Sequence, residues 1–337
     1  MKDAIRAIIL MTFVLASCSG DKLDVDVSSI NYQPDFYRFD QRLFEAKSPN
    51  DLVEINKGLI KDGGELYEFY VYDALRSGSV YADSINQYLW YFVKDSMMQM
   101  LYTDIQNEFS DIEDLEDVFV DMFKHQKHHL PDEKLPAAFY MYNSAFSYGV
   151  ISTDSVMGIG LDMYLGPENR IVKEVRFPLY MKDKMHRDYL PVDVAHSWLI
   201  TNVIGEDRGE TFLSSMIYFG KLRYVMEAML PDLPKHRIIR YTQEEFDFAM
   251  ASEYQIWQYI IDMNWIYSID MKVKLRYFEE APETVGIEGS PGRIGQFMGW
   301  QMVRTYMEEN EDVTVLDLLN NTTETEILKA YKPQENE

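Results

Sequence analysis

Apolar and polar residues alternate over Asp35–Phe44, a period that predicts a short strand or extended segment. Ser48–Asp51 carries the signals of a helix start, and a helix over Leu52–Lys61 follows, ended by Gly63 and Gly64. Tyr67–Tyr91 is aromatic without a clear period. Ser96–Phe109 and Asp114–His125 show helical spacing, with an acidic, solvated face from Glu108 to Asp121. The pattern then changes: Ala137–Tyr142, Tyr148–Ile151 and Val156–Leu165 read as strands of one small sheet closed by Gly166-Pro167. Phe177–Met185 reads as helix or loop.

Leu190–Ile200 and Phe212–Leu222 predict two consecutive helices around which the chain is organised. Pro191 suits a first helical turn, where its missing amide would have no partner, and Asp193 favours the positive end of the helix dipole. Leu230–Pro234 breaks the chain. Thr242 with Glu245 three residues on forms a capping box ahead of a long helix over Phe246–Asn264. Ser290–Met307 is the last strong element. Gly292, Gly295 and Gly299 fall three and four apart there, so one helix face lacks side chains and admits a close neighbour. Val313–Leu319 and Glu324–Ala330 read as short closing helices. The fold class is mainly α with a small β-sheet, an α+β chain.

The chain has 337 residues, 47% of them apolar, enough for a substantial core. Its net charge of −24 argues against nucleic-acid backbones or anionic headgroups as electrostatic partners. The 24 Tyr and 20 Met read as core and groove filler. Aromatics in such number also suit a glycan-capturing surface, which ranks last because helical spacing places most of them in the core.

The N-terminus adds a targeting signal. Lys2 and Arg6 precede a short apolar run, Ala7–Leu15, which is too short to span a membrane, and small residues follow it. Leu15-Ala16-Ser17-Cys18 resembles the lipobox of bacterial lipoproteins. That resemblance makes residues 1–17 a signal peptide and Cys18 the lipidated first residue of the mature protein. Acyl chains on Cys18 then supply the membrane hold. Residues 18–34 form the lipidated cysteine and tether, and 35–337 a single domain. Cys18 is the only cysteine, so no internal disulfide forms.

The candidate chemistry lies on the paired helices. His196 and Ile200 are four apart and share a face, and Phe219 follows nineteen residues after Ile200. Zinc peptidases place H-E-x-x-H on such a helix and a third ligand, often Glu, on the next. The frame here reads His196-Ser197-Trp198-Leu199-Ile200 with Phe219. One ligand remains, Ser197 stands where the base would be, and Ile200 and Phe219 are apolar. The ordinary reading of a lone histidine beside a tryptophan is a hydrogen-bonded, partly buried side chain. A metal site with atypical ligands would draw on His196 with Asp193, Glu206 or Glu210. His125, His128 and His129 cluster before Pro131, where an exposed helix end at its negative pole is the first reading and a metal role the second. Asp162 is a candidate groove or partner residue, with a turn cap or a solvent-facing strand position as the alternative. Arg293 and Arg304 are candidates for gripping carboxylates in a groove.

Taken together, Tyr37–Asp40, Gly160–Gly166, Met216–Lys221, Tyr241-Thr242, Ile256-Trp257, Ser290–Gly295 and Gly299-Trp300-Gln301 resemble the gliding motility lipoprotein GldB family. The resemblance implies an envelope lipoprotein needed for bacterial gliding and for the associated type IX secretion route. It places the protein at the outer membrane, on its periplasmic face or its surface, with other gliding and secretion proteins as partners. It also implies a distant likeness to zinc proteases, on which His196 matches the first histidine, Ser197 the glutamate base, Ile200 the second histidine and Phe219 the ligand glutamate. Neither Ile nor Phe ligates zinc, and Ser is a poor substitute for a carboxylate base. The expectation is a zincin-like helical scaffold without catalytic residues, metal or cofactor, whose groove still holds a peptide or partner.

Overall fold

The computed structural model describes residues 22–333. Residues 1–17 and Cys18, the expected signal peptide and lipidation site, lie outside the described residues. Helices dominate and one small mixed sheet accompanies them, the fold class the hydrophobic pattern predicts. Among the described residues no helix is long and apolar enough to cross a membrane. Within the stretch expected to act as tether, Leu23 and Val27 are buried, and Tyr32 Oη donates to the Pro136 carbonyl at 2.7 Å.

β1 (Asp35–Arg38) turns directly into α1 (Phe39–Phe44), so the alternation over 35–44 describes a strand only in its first half. α2 (Asp51–Phe69) runs through the glycines expected to end it. Gly64 takes φ 49° and kinks the helix, a conformation that glycine adopts without a Cβ penalty. A π turn follows at Tyr70–Ala74. α3 (Ile85–Lys94) falls in the aromatic stretch that shows no clear period. It buries Ile85, Leu89 and Val93 at helical spacing, while Tyr88 and Tyr91 stand exposed and blur the pattern. α4 (Ser96–Phe109) and α5 (Glu113–His129) complete the N-terminal helices.

β2 (Ala138–Tyr142), β3 (Val150–Ser152) and β4 (Val156–Gly160) join β1 in the order β1-β2-β4-β3. β1 and β4 run parallel to β2, and β3 pairs antiparallel with β4 as the outer strand. β2 is buried on both faces. Its alternate side chains divide two cores: Ala138, Tyr140 and Tyr142 face Phe39, Tyr67 and Tyr70, whereas Phe139 and Met141 join Phe119, Phe123 and Trp198. The expected third strand stops at Gly160, and Leu161–Tyr164 forms a 3-10 turn.

The C-terminal half is helical: α6 (Arg170–Glu174), α7 (Leu179–Lys182), α8 (Leu190–Leu199) with a π turn at Ile200–Ile204, α9 (Phe212–Met229) and α10 (Lys235–Ile238). The long helix expected after Thr242 is two, α11 (Gln243–Ala251) and α12 (Glu253–Asp262), separated at Ser252. The capping box of Thr242 and Glu245 forms as the sequence predicts. α13 (Met271–Phe278), α14 (Ile294–Glu309), α15 (Val315–Asn320) and α16 (Glu324–Ala330) follow. α9 and α14 are apolar on nearly every side because both lie inside the core, packed on one another.

Candidate functional site

α8, α9 and the start of α14 meet at a cleft of two adjoining cavities, about 460 and 220 Å³. His196, Asp193, Arg240 and Glu280 line both. Ser197, Ile200 and Glu206 line the larger, with Val150, Phe177 and three methionines, Met163, Met181 and Met185. Phe219 lines the smaller, with Arg208, Arg223, Phe278, Glu279, Arg293 and Gln296. The four positions of the peptidase-like frame thus surround one cleft, and Arg293 joins them.

The other candidates lie elsewhere. Asp162 lines neither cavity and faces no solvent. It is fully buried at the end of β4, where Ser144 N–H (2.7 Å), Ser144 Oγ (2.9 Å) and the Phe146 N–H donate to it. Burial raises its carboxyl to about 6, although these bonds favour the charged form. Arg304 lies over the Trp300 ring, 3.7 Å from Glu227 and 3.8 Å from Glu308, and lines neither cavity. Glu210 also lines neither. Of the histidine cluster, His125 is buried and only His128 is exposed, which corrects the exposed helix end expected there. Among the described residues no three His, Cys, Asp or Glu side chains are grouped to hold a metal ion.

Charge defines the smaller cavity. Three of its arginines have carboxylate partners: Arg240 with Asp193 at 2.5 Å, Arg208 with Glu279 at 2.7 Å, and Arg293 with Glu280 at 2.7 Å. Asp193 is further fixed by Tyr164 Oη at 2.8 Å, and the Arg240 guanidinium stacks over Tyr189. Arg223 is different. It is 2% exposed, donates to the Ile238 carbonyl at 3.1 Å and to Gln296 Oε1 at 2.7 Å, and has no carboxylate partner among the described residues. Burial, then Arg293 and Arg240 beside it, push it down to about 9, still charged at neutral pH. Burial and the same arginines, with Arg208, hold the His196 imidazole well below its ordinary value, so it is neutral there.

Arg240 and Arg293 both have left-handed backbones, φ 59° and 63°. That conformation costs a non-glycine residue roughly 1–2 kcal/mol, and such outliers cluster at ligand sites. The apolar wall is Phe219, stacked on Phe278 at 5.6 Å with the Arg208 guanidinium 4.8 Å over its ring.

Sequence reasoning missed Arg208, Arg223 and Arg240 because they come from separate segments that only the fold unites. The available signal was Arg223 itself, a lone charge in the apolar run Leu222–Met226 of a helix otherwise without a solvent face.

Residues 20–333 match the family model described as gliding motility protein GldB. No curated protein and no solved structure matches the chain.

Proposed function

The chain belongs to the gliding motility protein GldB family, and from that premise we propose that it is a lipid-anchored accessory protein of the cell envelope. In this reading it serves gliding and the associated type IX secretion from the outer membrane, and it performs no catalysis. The observation that carries the reading is the family match, which spans nearly the whole chain. The lipobox ending in Cys18 supports the anchor. The side chains of Ile200 and Phe219 support the loss of catalysis, since neither donates a lone pair to a metal. The mixed lining of the cleft, with Met, Phe, Ser and Arg side chains, supports a groove that holds a peptide or a segment of a partner.

Complementation tests the reading. A deletion strain of a gliding bacterium is supplied with the wild-type chain or with Cys18→Ala, and colony spreading, membrane fractionation and co-purifying envelope proteins are recorded. Wild type is expected to restore spreading from the membrane fraction with envelope partners bound. Cys18→Ala is expected to leave that fraction and to restore nothing. Full spreading with Cys18→Ala, or a wild-type protein that captures no partner, would sink it.

A second reading has one observation in its favour: Asp193, His196 and Glu206 line the same cavity, although as they stand they are not grouped closely enough to hold an ion. A peptidase with those atypical ligands would hold metal through His196. Elemental analysis of protein purified without chelator, with His196→Ala beside it, decides between the two readings.

A further inference from the structure

Three residues that line the smaller cavity each carry a buried polar atom without a hydrogen-bond partner: Arg223 Nε, Arg240 Nε and Glu280 Oε1. Unmade bonds of buried polar groups cost free energy, so three at one place signal a missing partner. Two are donors on cations and one is an acceptor on a carboxylate. The missing group therefore presents both an acceptor and a donor.

Charge sets the nature of that acceptor. Arg208, Arg240 and Arg293 each have a carboxylate, and Arg223 has none. A buried, unpaired guanidinium is strongly unfavourable, and one negative charge compensates it. The planar fork of a guanidinium fits a carboxylate through two parallel N–H bonds. A phosphate ester approaches two negative charges at neutral pH and exceeds what is uncompensated.

The surroundings set the rest of the ligand. Phe219 and Phe278 form an apolar wall beside Arg223, and the larger cavity continues past His196 between methionines. Gly149 and Val150, at the start of the outer strand β3, line that continuation. A ligand that reaches from Arg223 past His196 meets Phe219, Phe278 and the methionines with its apolar groups, and Lys184 and Glu206 further out.

We propose that the cleft binds the C-terminal carboxylate of an extended peptide with apolar last residues, with Arg223 receiving the carboxylate and Glu280 Oε1 accepting an N–H from the same segment. The proposal names the occupant of the groove put forward above and rests on that reading. The binding assay below fails or succeeds separately from gliding, so the two are judged apart. A free fatty acid supplies the carboxylate and the apolar body but no N–H for Glu280.

The test uses the full chain in a lipid nanodisc. The probes are a fluorescent five-residue apolar peptide with a free C-terminal carboxylate, the same peptide amidated, dodecanoate and inorganic phosphate. The free acid is expected to bind roughly tenfold or more tightly than the amide, the worth of a charge-assisted bond in a buried site. Arg223→Met is expected to abolish that discrimination with the melting temperature kept. Where Arg223→Met does not fold, Arg223→Lys, which keeps the charge but loses the planar two-bond fork, is expected to weaken the acid and not the amide. Equal binding of acid and amide, displacement of the acid by phosphate at matched concentration, or binding of dodecanoate without the peptide would each overturn the proposal.

Discussion

Gly220 of α9 and Gly299 of α14 meet backbone to backbone: a Cβ on Gly220 would lie 2.2 Å from the Gly299 carbonyl oxygen. A Cβ on Gly299 would lie 1.8 Å from the Met216 carbonyl oxygen. No side-chain rearrangement relieves either clash, because the obstacle is main chain. The crossing therefore sets how near the two buried helices lie, and with that the separation of Phe219 and Arg223 from Arg293 and Gln296 across the cleft.

Gly299→Ala and Gly220→Ala are expected to destabilise the protein by about 3 kcal/mol or more, at or beyond the upper end for overpacking in a core that can adjust. Urea unfolding of each variant checks this. A change below about 1 kcal/mol would mean that the helices separate without penalty and that the crossing does not set the cleft.

The glycine spacing of 295 and 299 was legible as a close approach because helical period alone places both on one face. The partner was not, since Gly220 lies in another helix and nothing in the sequence pairs them. The same division holds throughout. Thr242 and Glu245 announce a cap because capping is local. The break at Ser252 is not announced: it accompanies a buried Glu253 that accepts from Tyr331 Oη at 2.8 Å, a contact 78 residues away in sequence. Asp162 looked like a turn or surface residue because its local sequence is ordinary, and only the return of the chain at Ser144–Phe146 surrounds it with donors. His196, Ser197, Ile200 and Phe219 were found because they share two adjacent helices, whereas the arginines that charge the cleft reach it from four places in the chain.

His196 and Asp162 give opposite pH dependences. The imidazole has a folded pKa below its unfolded value near 6.5, so the unfolded chain takes up the proton first as pH falls. Its contribution is present above pH 6.5 and lost on acidification. His196→Gln is therefore expected to lose less stability than wild type between pH 7.5 and 5.5. Urea unfolding at the two pH values reads the difference, and parallel losses would show that the imidazole is protonated in the fold.

Asp162 has a folded pKa raised to about 6 from 3.8, so the folded chain holds this proton more tightly. Its contribution is present below pH 3.8 and lost as pH rises through 6, a span worth roughly 3 kcal/mol. Asp162→Asn removes that titration. Measured as wild type minus variant, stability is expected to fall between pH 4 and 6.5. A difference flat with pH would mean that the donors of Ser144 and Phe146 keep the carboxylate ionised throughout.

Arg223 and Glu280 separate a binding group from a structural one. The large cost of breaking a buried ion pair comes from the partner charge left behind, and Arg223 has no carboxylate partner to strand. Arg223→Met without ligand is thus expected to melt within about 3 °C of wild type or above it. Glu280→Ala instead strands Arg293, and because the pair is partly open to solvent the loss is about 1–2 kcal/mol. Thermal unfolding of both variants checks the contrast. A large loss from Arg223→Met would make that arginine a structural strut held by Ile238 and Gln296.

The zincin-like arrangement expected of the scaffold is testable by supplying the ligands it lacks. Ile200 and Phe219 line the two cavities that meet at His196, so donors at all three positions are expected to face one ion if the scaffold has the zincin arrangement. Ile200→His with Phe219→Glu supplies them, and Ser197→Glu supplies the base. The Arg208 guanidinium over the Phe219 ring would capture the new carboxylate, so Arg208→Ala accompanies them. The combined variant is expected to hold about one zinc per chain in tetrahedral N/O coordination, lost again on His196→Ala. A folded variant without zinc would show that α8 and α9 do not place ligands at one point, which leaves the helix crossing and the arginines as what shapes the cleft.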